Sequence, residues 1–193
     1  LYFMLPLVGV CSGFLYHNCI CDLLTNRYPA RAFPGDTLCY VTGMAFAVVG
    51  IQAHFSKTLL LFFLPQIFNF ILSCPQLFGL VPCPRHRVPR FDAETNALYP
   101  SKVLFLKPPS KLSSLVLRSF AALGLTELTT HPKTGVIFEA TNLTILNFLL
   151  VRLWPMNEKR LVQVLIAVQV AGSVLAFTIR YGLANLVYDG DRR

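Results

Sequence analysis

Two short segments of this 193-residue chain carry residue types suited to phosphate chemistry. Asp36 stands in the run Phe-Pro-Gly-Asp-Thr, and a hard carboxylate of this kind can hold Mg²⁺ beside a phosphate. Arg85, His86 and Arg87 follow one another in a turn flanked by prolines, and guanidinium groups match phosphate oxygens through paired hydrogen bonds. A metal-binding carboxylate facing a rigid basic turn predicts phosphoryl transfer, in which catalysis is mostly positioning and charge neutralisation.

Each segment also has a structural interpretation. In this interpretation Asp36 is simply the N-cap of a helix, a position that aspartate favours. Arg85, His86 and Arg87 are then ordinary positive anchors at the end of a membrane helix. The residues alone leave both alternatives open.

The composition indicates which elements position these segments. The chain is 54% hydrophobic and only 13% charged, against about 25% charged for an ordinary soluble domain. Four stretches contain no charge at all, and each approaches the roughly 20 apolar residues that a transmembrane helix needs: 1–21, 37–56, 58–84 and 161–179. A soluble globular enzyme is therefore excluded. The six cysteines lie mostly in or beside these stretches, which excludes a secreted disulfide scaffold.

The predicted fold class is a polytopic α-helical membrane protein with four transmembrane helices and a small cytosolic α+β insertion between the third and fourth. The helices are predicted at 1–16, 37–54, 58–80 and 161–187, with the second and third forming a tight hairpin. Pro65 and Pro75 should kink the third helix. Gly172 and Ala176 have the spacing that lets helices approach closely.

Lysine and arginine set the expected orientation. Loops 17–36 and 81–160 hold 13 of the 17 basic residues, so the positive-inside rule puts both loops in the cytosol and both chain ends opposite. Asp36 and the basic turn then emerge on one membrane face. The net charge of +8 suits anionic lipid or phosphate-bearing ligands. A transporter is disfavoured, since no charged residue lies in the middle of a predicted span.

Loop 81–160 is too long for a simple connector. Its patterns predict a strand at 102–107, a helix from an N-cap at Ser110 to Gly124, a hairpin of 125–130 with 136–141, and a second helix at 142–153. Three regions result: 1–80 with three transmembrane helices and cytosolic loop 17–36; 81–160 with the basic turn and α+β cap; and 161–193 with the last helix and a lumenal tail. Because residue 1 is a leucine inside an apolar run, the chain is expected to be the C-terminal portion of a longer protein.

Several long motifs occur in order along the chain. They are Leu-Tyr-His-Asn ending at Asn18, Tyr-Pro-Ala-Arg-Ala-Phe-Pro-Gly-Asp-Thr at 28–37, Gly-Met-Ala-Phe-Ala-Val-Val-Gly at 43–50, His-Phe-Ser-Lys at 54–57, Val-Pro-Cys-Pro-Arg-His-Arg-Val-Pro-Arg at 81–90 and Ile-Arg-Tyr at 179–181. Together they closely resemble the eukaryotic family of UDP-GlcNAc:dolichyl-phosphate GlcNAc-1-phosphate transferases. The resemblance implies a multi-pass enzyme of the endoplasmic reticulum membrane with a cytosolic active face, of which these four spans would be the last.

The resemblance also implies the reaction and its residues. Such enzymes transfer GlcNAc-1-phosphate from UDP-GlcNAc to dolichyl phosphate and release UMP, the first step of N-glycan precursor assembly, and tunicamycin inhibits them. By position, Asp36 would be a Mg²⁺ ligand, Phe33 would lie against the uracil, and Arg85, His86 and Arg87 would hold the pyrophosphate and GlcNAc. The implied partners are both substrates and membrane lipid; a homodimer is left open and no nucleic acid is expected.

The chain departs from the family pattern in three ways. The paired aspartates of the family would lie upstream of residue 1, so the chain alone is expected to be inactive. Residues 19–27 form an insertion, and Pro34 replaces an aliphatic residue. The alternative function is a non-catalytic truncated membrane protein that binds nucleotide sugar or pairs with the full enzyme. Asn142 begins a glycosylation sequon that should stay unmodified in the cytosol.

Overall fold

The computed structural model describes residues 2, 4–20, 32–54, 56–106, 108–132 and 135–183. Most of loop 17–36, including Arg27, Arg31 and most of the 19–27 insertion, lies outside the described residues, as does the predicted lumenal tail from 184 onward. The chain divides into two compact units, Leu1–Leu61 and Phe62–Arg193.

The first unit is helical. Helix α1 covers Met4–Leu15 and continues into a π-helical turn at Tyr16–Ile20. Helix α2 covers Gly35–Gln52, and α3 covers Ser56–Phe62; the last residue of α3, Phe62, belongs to the second unit. The connection between α2 and α3 is short, as predicted, and the hairpin of two membrane spans stays a prediction. At Gly50 a Cβ would lie 2.8 Å from Cδ2 of Leu59, so these helices approach at a point where only glycine fits without a shift.

The third predicted span is broken next to a proline. Helix α4 begins at Leu64, two residues after α3 ends, has Pro65 in its first turn, and runs to Leu77 with Pro75 inside it. Since proline lacks an N–H, the carbonyls before the break lose helical partners. The side chain of Gln169 donates to the carbonyl of Phe62 (2.9 Å) and accepts from Gln66 (2.8 Å). The predicted kink is confirmed at Pro65, and a neighbouring helix supplies a polar partner at the break.

That neighbour, α7, covers Glu158–Phe177 and continues as a π-helical turn, Thr178–Leu183. Gly172 lies against the Pro65 ring, where an added Cβ would be 3.5 Å away, and Ala176 is fully buried. In the described residues, Glu158–Gly182 is long and apolar enough to cross a membrane, and the bent pair α3–α4 adds a second candidate if it counts as one span. The other two spans stay predictions.

Between α4 and α7 lies an α+β region. Strands β1 (Arg90–Asp92) and β2 (Ala97–Tyr99) form an antiparallel hairpin that the sequence patterns did not predict. Strands β3 (Lys102–Leu104), β4 (Leu128–Thr130) and β5 (Ile137–Thr141) form an antiparallel sheet in the order β3-β5-β4. The predicted strand at 102 and the hairpin of β4 with β5 are confirmed, with shorter strands than expected.

Two helices complete this region. Helix α5 covers Lys111–Ala122, and the Ser110 side chain caps it by accepting from the N–H of Ser113, as predicted. Helix α6 covers Ile145–Leu153, three residues later than expected, because Thr144 is its N-cap and Asn142 lies before it. Sequence periodicity located both helices, whereas capping side chains fixed where they begin.

Two apolar clusters hold the second unit together. The larger joins α4, α5 and the three-stranded sheet; its buried members are Leu72, Val81, Val103, Leu117, Ile137, Ala140 and Leu143. The smaller joins α6 to α7 through Leu149, Leu150, Met156 and Leu161. Val81 is fully buried and begins segment 81–87, which carries Arg85, His86 and Arg87 and is called the basic turn, so this turn leaves the core directly.

Candidate active site

Asp36 lies in the first turn of α2. The cap position of this helix belongs to Pro34, which makes no side-chain cap bond, and Gly35 has the positive φ (58°) that glycine tolerates. The N-cap interpretation of Asp36 is therefore wrong. Its carboxylate is exposed and makes no hydrogen bond with any described residue. A negative charge is favourable at a helix N-terminus, and this one stays open to a ligand.

Asn18 holds the backbone that leads into this segment. Its side-chain amide donates to the carbonyl of Ala32 and accepts from the N–H of the same residue, both at 2.8 Å. This paired contact imitates one rung of a β-ladder and fixes the chain one residue before Phe33. The Phe33 ring is 92% exposed. The segment therefore presents an aromatic face and a carboxylate three residues apart.

The segment around Asp36 supplies only part of the ligand set of a metal ion. Mg²⁺ takes one or two protein carboxylates and completes its shell with water and substrate phosphates. Asp36 supplies one such oxygen donor. Over the described ranges, no three His, Cys, Asp or Glu side chains lie together as a metal cage. The donor set thus fits Mg²⁺ shared with a phosphate ligand rather than a fully protein-bound ion.

The basic turn is fixed at both ends. At its start, the N–H of Val81 donates to the carbonyl of Pro75 (3.0 Å), and Gln76 donates to the carbonyl of Pro82 (3.2 Å). At its end, the carbonyl of Arg87 accepts from Nδ2 of Asn147 (2.9 Å) and Oγ of Ser101 (3.4 Å). A turn held in this way keeps its side chains in one place.

A network of buried amides supplies these bonds. Gln76 donates to Oδ1 of Asn142 (2.9 Å), and Nδ2 of Asn142 donates to Oγ of Ser101 (2.9 Å). The N–H of Ser101 then donates to Oδ1 of Asn147 (2.9 Å). The three amides are at most 2% exposed. Sequence reasoning missed them as site residues, although a glutamine in the apolar run 58–84 and an asparagine inside the apolar helix α6 were visible signs.

Arg85 and His86 point outward, whereas Arg87 is half-buried. Nη1 of Arg87 is buried and lacks a hydrogen-bond partner in the part of the chain that the structure describes. Leaving a buried charged donor unsatisfied costs more than the 1–3 kcal/mol typical of a neutral one. An anionic oxygen at this point would remove that cost, so the turn has the chemistry of a phosphate-binding site.

No family model matches the chain. Curated relatives are named UDP-N-acetylglucosamine--dolichyl-phosphate N-acetylglucosaminephosphotransferase. The relative from Schizosaccharomyces pombe is 45% identical over 99% of this chain and 42% of its own length. The relative from Saccharomyces cerevisiae is 44% identical over 86% of this chain, and that from Dictyostelium discoideum is 43% identical over 82%. The chain belongs to this transferase family.

The chain spans less than half the length of these transferases and corresponds to a C-terminal piece of them. The resemblance drawn from the motifs is therefore confirmed. Phe33 and Asp36 lie in the first compact unit, and Arg85, His86 and Arg87 lie in the second. That these family motifs share one site stays a prediction.

Proposed function

We propose that this chain is part of an endoplasmic reticulum membrane enzyme that transfers GlcNAc-1-phosphate from UDP-GlcNAc to dolichyl phosphate. The observation that carries the proposal is 45% identity, over 99% of the chain, to a relative with that activity in its name. A phosphate oxygen of dolichyl phosphate forms a new bond to the sugar-bearing phosphorus, and the bond from that phosphorus to UMP breaks. The activity belongs to the whole protein, of which this chain is one part.

The basic turn binds the diphosphate in this proposal. Arg87 reaches a phosphate or sugar oxygen with Nη1, and Arg85 and His86 contact the remaining pyrophosphate and GlcNAc oxygens. The support is Nη1 of Arg87, which is buried and has no hydrogen-bond partner among the described residues, together with a backbone held at both ends. Because the buried amides hold the turn before substrate arrives, little ordering is left for the binding step.

The Asp36 segment serves the nucleotide end. Phe33 lies against the uracil, and Asp36 holds Mg²⁺ together with the diphosphate. When bound, Mg²⁺ offsets the repulsion between two anionic substrates. The exposed ring and the exposed carboxylate without a hydrogen-bond partner in the described residues support this assignment.

The proposed architecture follows the charge pattern. Four helices cross the membrane, loops 17–36 and 81–160 face the cytosol, and the α+β region covers the catalytic face. The apolar helix Glu158–Gly182 and the bent pair α3–α4 support two of these spans. A homodimer stays a prediction.

The test is a transfer assay on the complete enzyme that contains this sequence. Purified protein receives UDP-GlcNAc with and without dolichyl phosphate, and UMP and lipid-linked GlcNAc are measured over a Mg²⁺ titration. UMP release that needs both dolichyl phosphate and Mg²⁺ is expected. UDP-GlcNAc binding without UMP release would favour the non-catalytic alternative, and release of free GlcNAc-1-phosphate would indicate a hydrolase.

A further inference from the structure

Helix α5 has an apolar outer face. It buries Ser113 and Leu117 toward the core and leaves Leu112 and Leu115 exposed, the latter at 64%. These two leucines stand three residues apart, so they share one side of the helix. Leu106, on the approach to α5, is 99% exposed. The two exposed leucines that share one side of α5 make it a candidate interaction surface.

The charged residues of α5 are both basic, Lys111 and Arg118. Between Glu94 and Glu127 the sequence contains no acidic residue, and Lys102 in this stretch is paired with Glu139 of β5 (3.8 Å). Lys111 and Arg118 are exposed on α5, and Arg118 also donates to the carbonyl of Gly135 (3.4 Å). Leucines beside basic residues are the pattern of a helix that lies in the headgroup layer of an anionic membrane.

The position of α5 in the second unit agrees with that pattern. Leu117 shares the larger core cluster with Leu72, near the end of α4. The start of α4 packs on the middle of α7, where Pro65 meets Gly172. At a helical rise of about 1.5 Å per residue, Leu72 lies about 10 Å further along α4.

The contacts of α6 show in which direction α4 runs along α7. Asn69 of α4 accepts from the N–H of Ile145, at the start of α6 (2.9 Å), and Leu150 of α6 packs with Leu161 near the start of α7. Helix α4 therefore runs back toward the beginning of α7. Helix α5 packs at the C-terminal end of α4, so it lies toward the N-terminal end of α7. The surface of a membrane that α7 crosses would be at that level.

We propose that α5 is an in-plane helix whose exposed leucines enter a lipid surface and whose basic residues bind anionic phospholipid headgroups. The inference rests on the membrane part of the proposed function. Phe70 and Ile71 on α4 are also exposed apolar side chains, at 57% and 58%. A leaflet of anionic lipid matches both the exposed leucines of α5 and its basic residues, Lys111 and Arg118.

The test places an environment-sensitive fluorescent amino acid at three exposed positions of the complete enzyme. They are Leu115 on α5, Val170 in the middle of α7 as a membrane control, and Glu94 in the β1–β2 turn as a water control. Each variant is reconstituted in phosphatidylcholine vesicles with brominated acyl chains, with and without phosphatidylserine. We expect lipid to quench about half or more of the emission at 115, strongest with phosphatidylserine, with full quenching at 170 and none at 94.

The three probes separate the possible failures. Quenching at 170 without quenching at 115 would overturn the in-plane helix and leave the proposed function intact. No quenching at 170 would overturn the membrane assignment itself. A blue-shifted, unquenched probe at 115 would mean that protein covers this face. Lys111→Glu should remove the phosphatidylserine dependence at 115, whereas Lys111→Arg should keep it.

Discussion

The two segments assigned to the proposed reaction are held in different ways. The basic turn is fixed at both ends by buried amides from α4 and α6, and its central charge, Nη1 of Arg87, is itself buried. Asp36 stands exposed in the first turn of α2, and within the described residues Asn18 bonds the backbone of Ala32 before it. One segment is a turn whose backbone is held by buried side chains, and the other is an accessible charge at a helix end.

This difference fits the ligands proposed for each. A diphosphate is recognised by directed hydrogen bonds, whose strength depends on geometry. A hydrated Mg²⁺ needs chiefly negative charge and room for water. Substitutions should therefore separate the two segments. At Asp36 a substitution should lower the activity and leave the stability unchanged, whereas in the basic turn a substitution should change both.

The largest effect is expected at Asp36. Asp36→Asn keeps the shape but removes the charge that holds the metal, so transfer by the complete enzyme should fall about 100-fold or more. Because the carboxylate makes no hydrogen bond with a described residue, the melting temperature should hardly change. A Mg²⁺-titrated transfer assay and a melting curve measure both. Glu94→Gln, which also removes one exposed carboxylate, should stay fully active; a fully active Asp36→Asn enzyme would contradict the metal assignment.

Arg87 comes next. Arg87→Lys keeps the charge but loses the paired donors, and it should cost about 1–3 kcal/mol of transition-state binding, or about 5- to 150-fold in kcat/KM. Steady-state kinetics with UDP-GlcNAc measure the loss. The matched control is Arg160→Lys, at an exposed position in the first turn of α7, which should leave kcat/KM unchanged. Equal kinetics for the two variants would favour the anchor interpretation of Arg87.

Local features of the fold were predictable from the sequence. The Ser110 cap, the break at Pro65 and the pairing of β4 with β5 each depend on residues close together in the chain. The amide network was not predictable, because its bonds join residues 41 to 66 positions apart and no periodicity marks them. For the site, residue types indicated phosphate chemistry, but only the packing reveals that Nη1 of Arg87 is enclosed.

Asn142 shows how a motif can mislead. Its sequon suggested a test of membrane orientation, yet its side chain is buried and bonded to Gln76 and Ser101. An oligosaccharide on this nitrogen is incompatible with the folded protein. The absence of a glycan at Asn142 is therefore expected from the fold as well as from a cytosolic location.

The amide network predicts a smaller, coupled effect. Asn147→Ala removes the bonds to Arg87 and Ser101 and should lower the free energy of unfolding by about 1–3 kcal/mol. Because the turn then loses its position, the further cost of Arg87→Lys should shrink in this background. A double-mutant cycle on kcat/KM measures that coupling. The control is Asn157→Ala, which removes the N-cap of α7; it should lower the free energy of unfolding by about 1 kcal/mol and show no coupling to Arg87→Lys. Additive effects of Asn147→Ala and Arg87→Lys would contradict the positioning role of Asn147.

The smallest effect, at Asn18, tests the other side of the comparison. Asn18→Ala leaves both backbone groups of Ala32 without this partner, so the segment carrying Asp36 should become less ordered. Groups bonded directly to a metal ligand contribute about 10- to 100-fold in metal affinity; Asn18 acts through the backbone, so we expect less than about 10-fold. The Mg²⁺ concentration for half-maximal transfer should rise while KM for UDP-GlcNAc at saturating Mg²⁺ stays nearly constant. Asn18→Asp keeps the acceptor and loses the donor, so it should fall between wild type and alanine. An equal rise in KM for UDP-GlcNAc would mean that the two segments are not held independently.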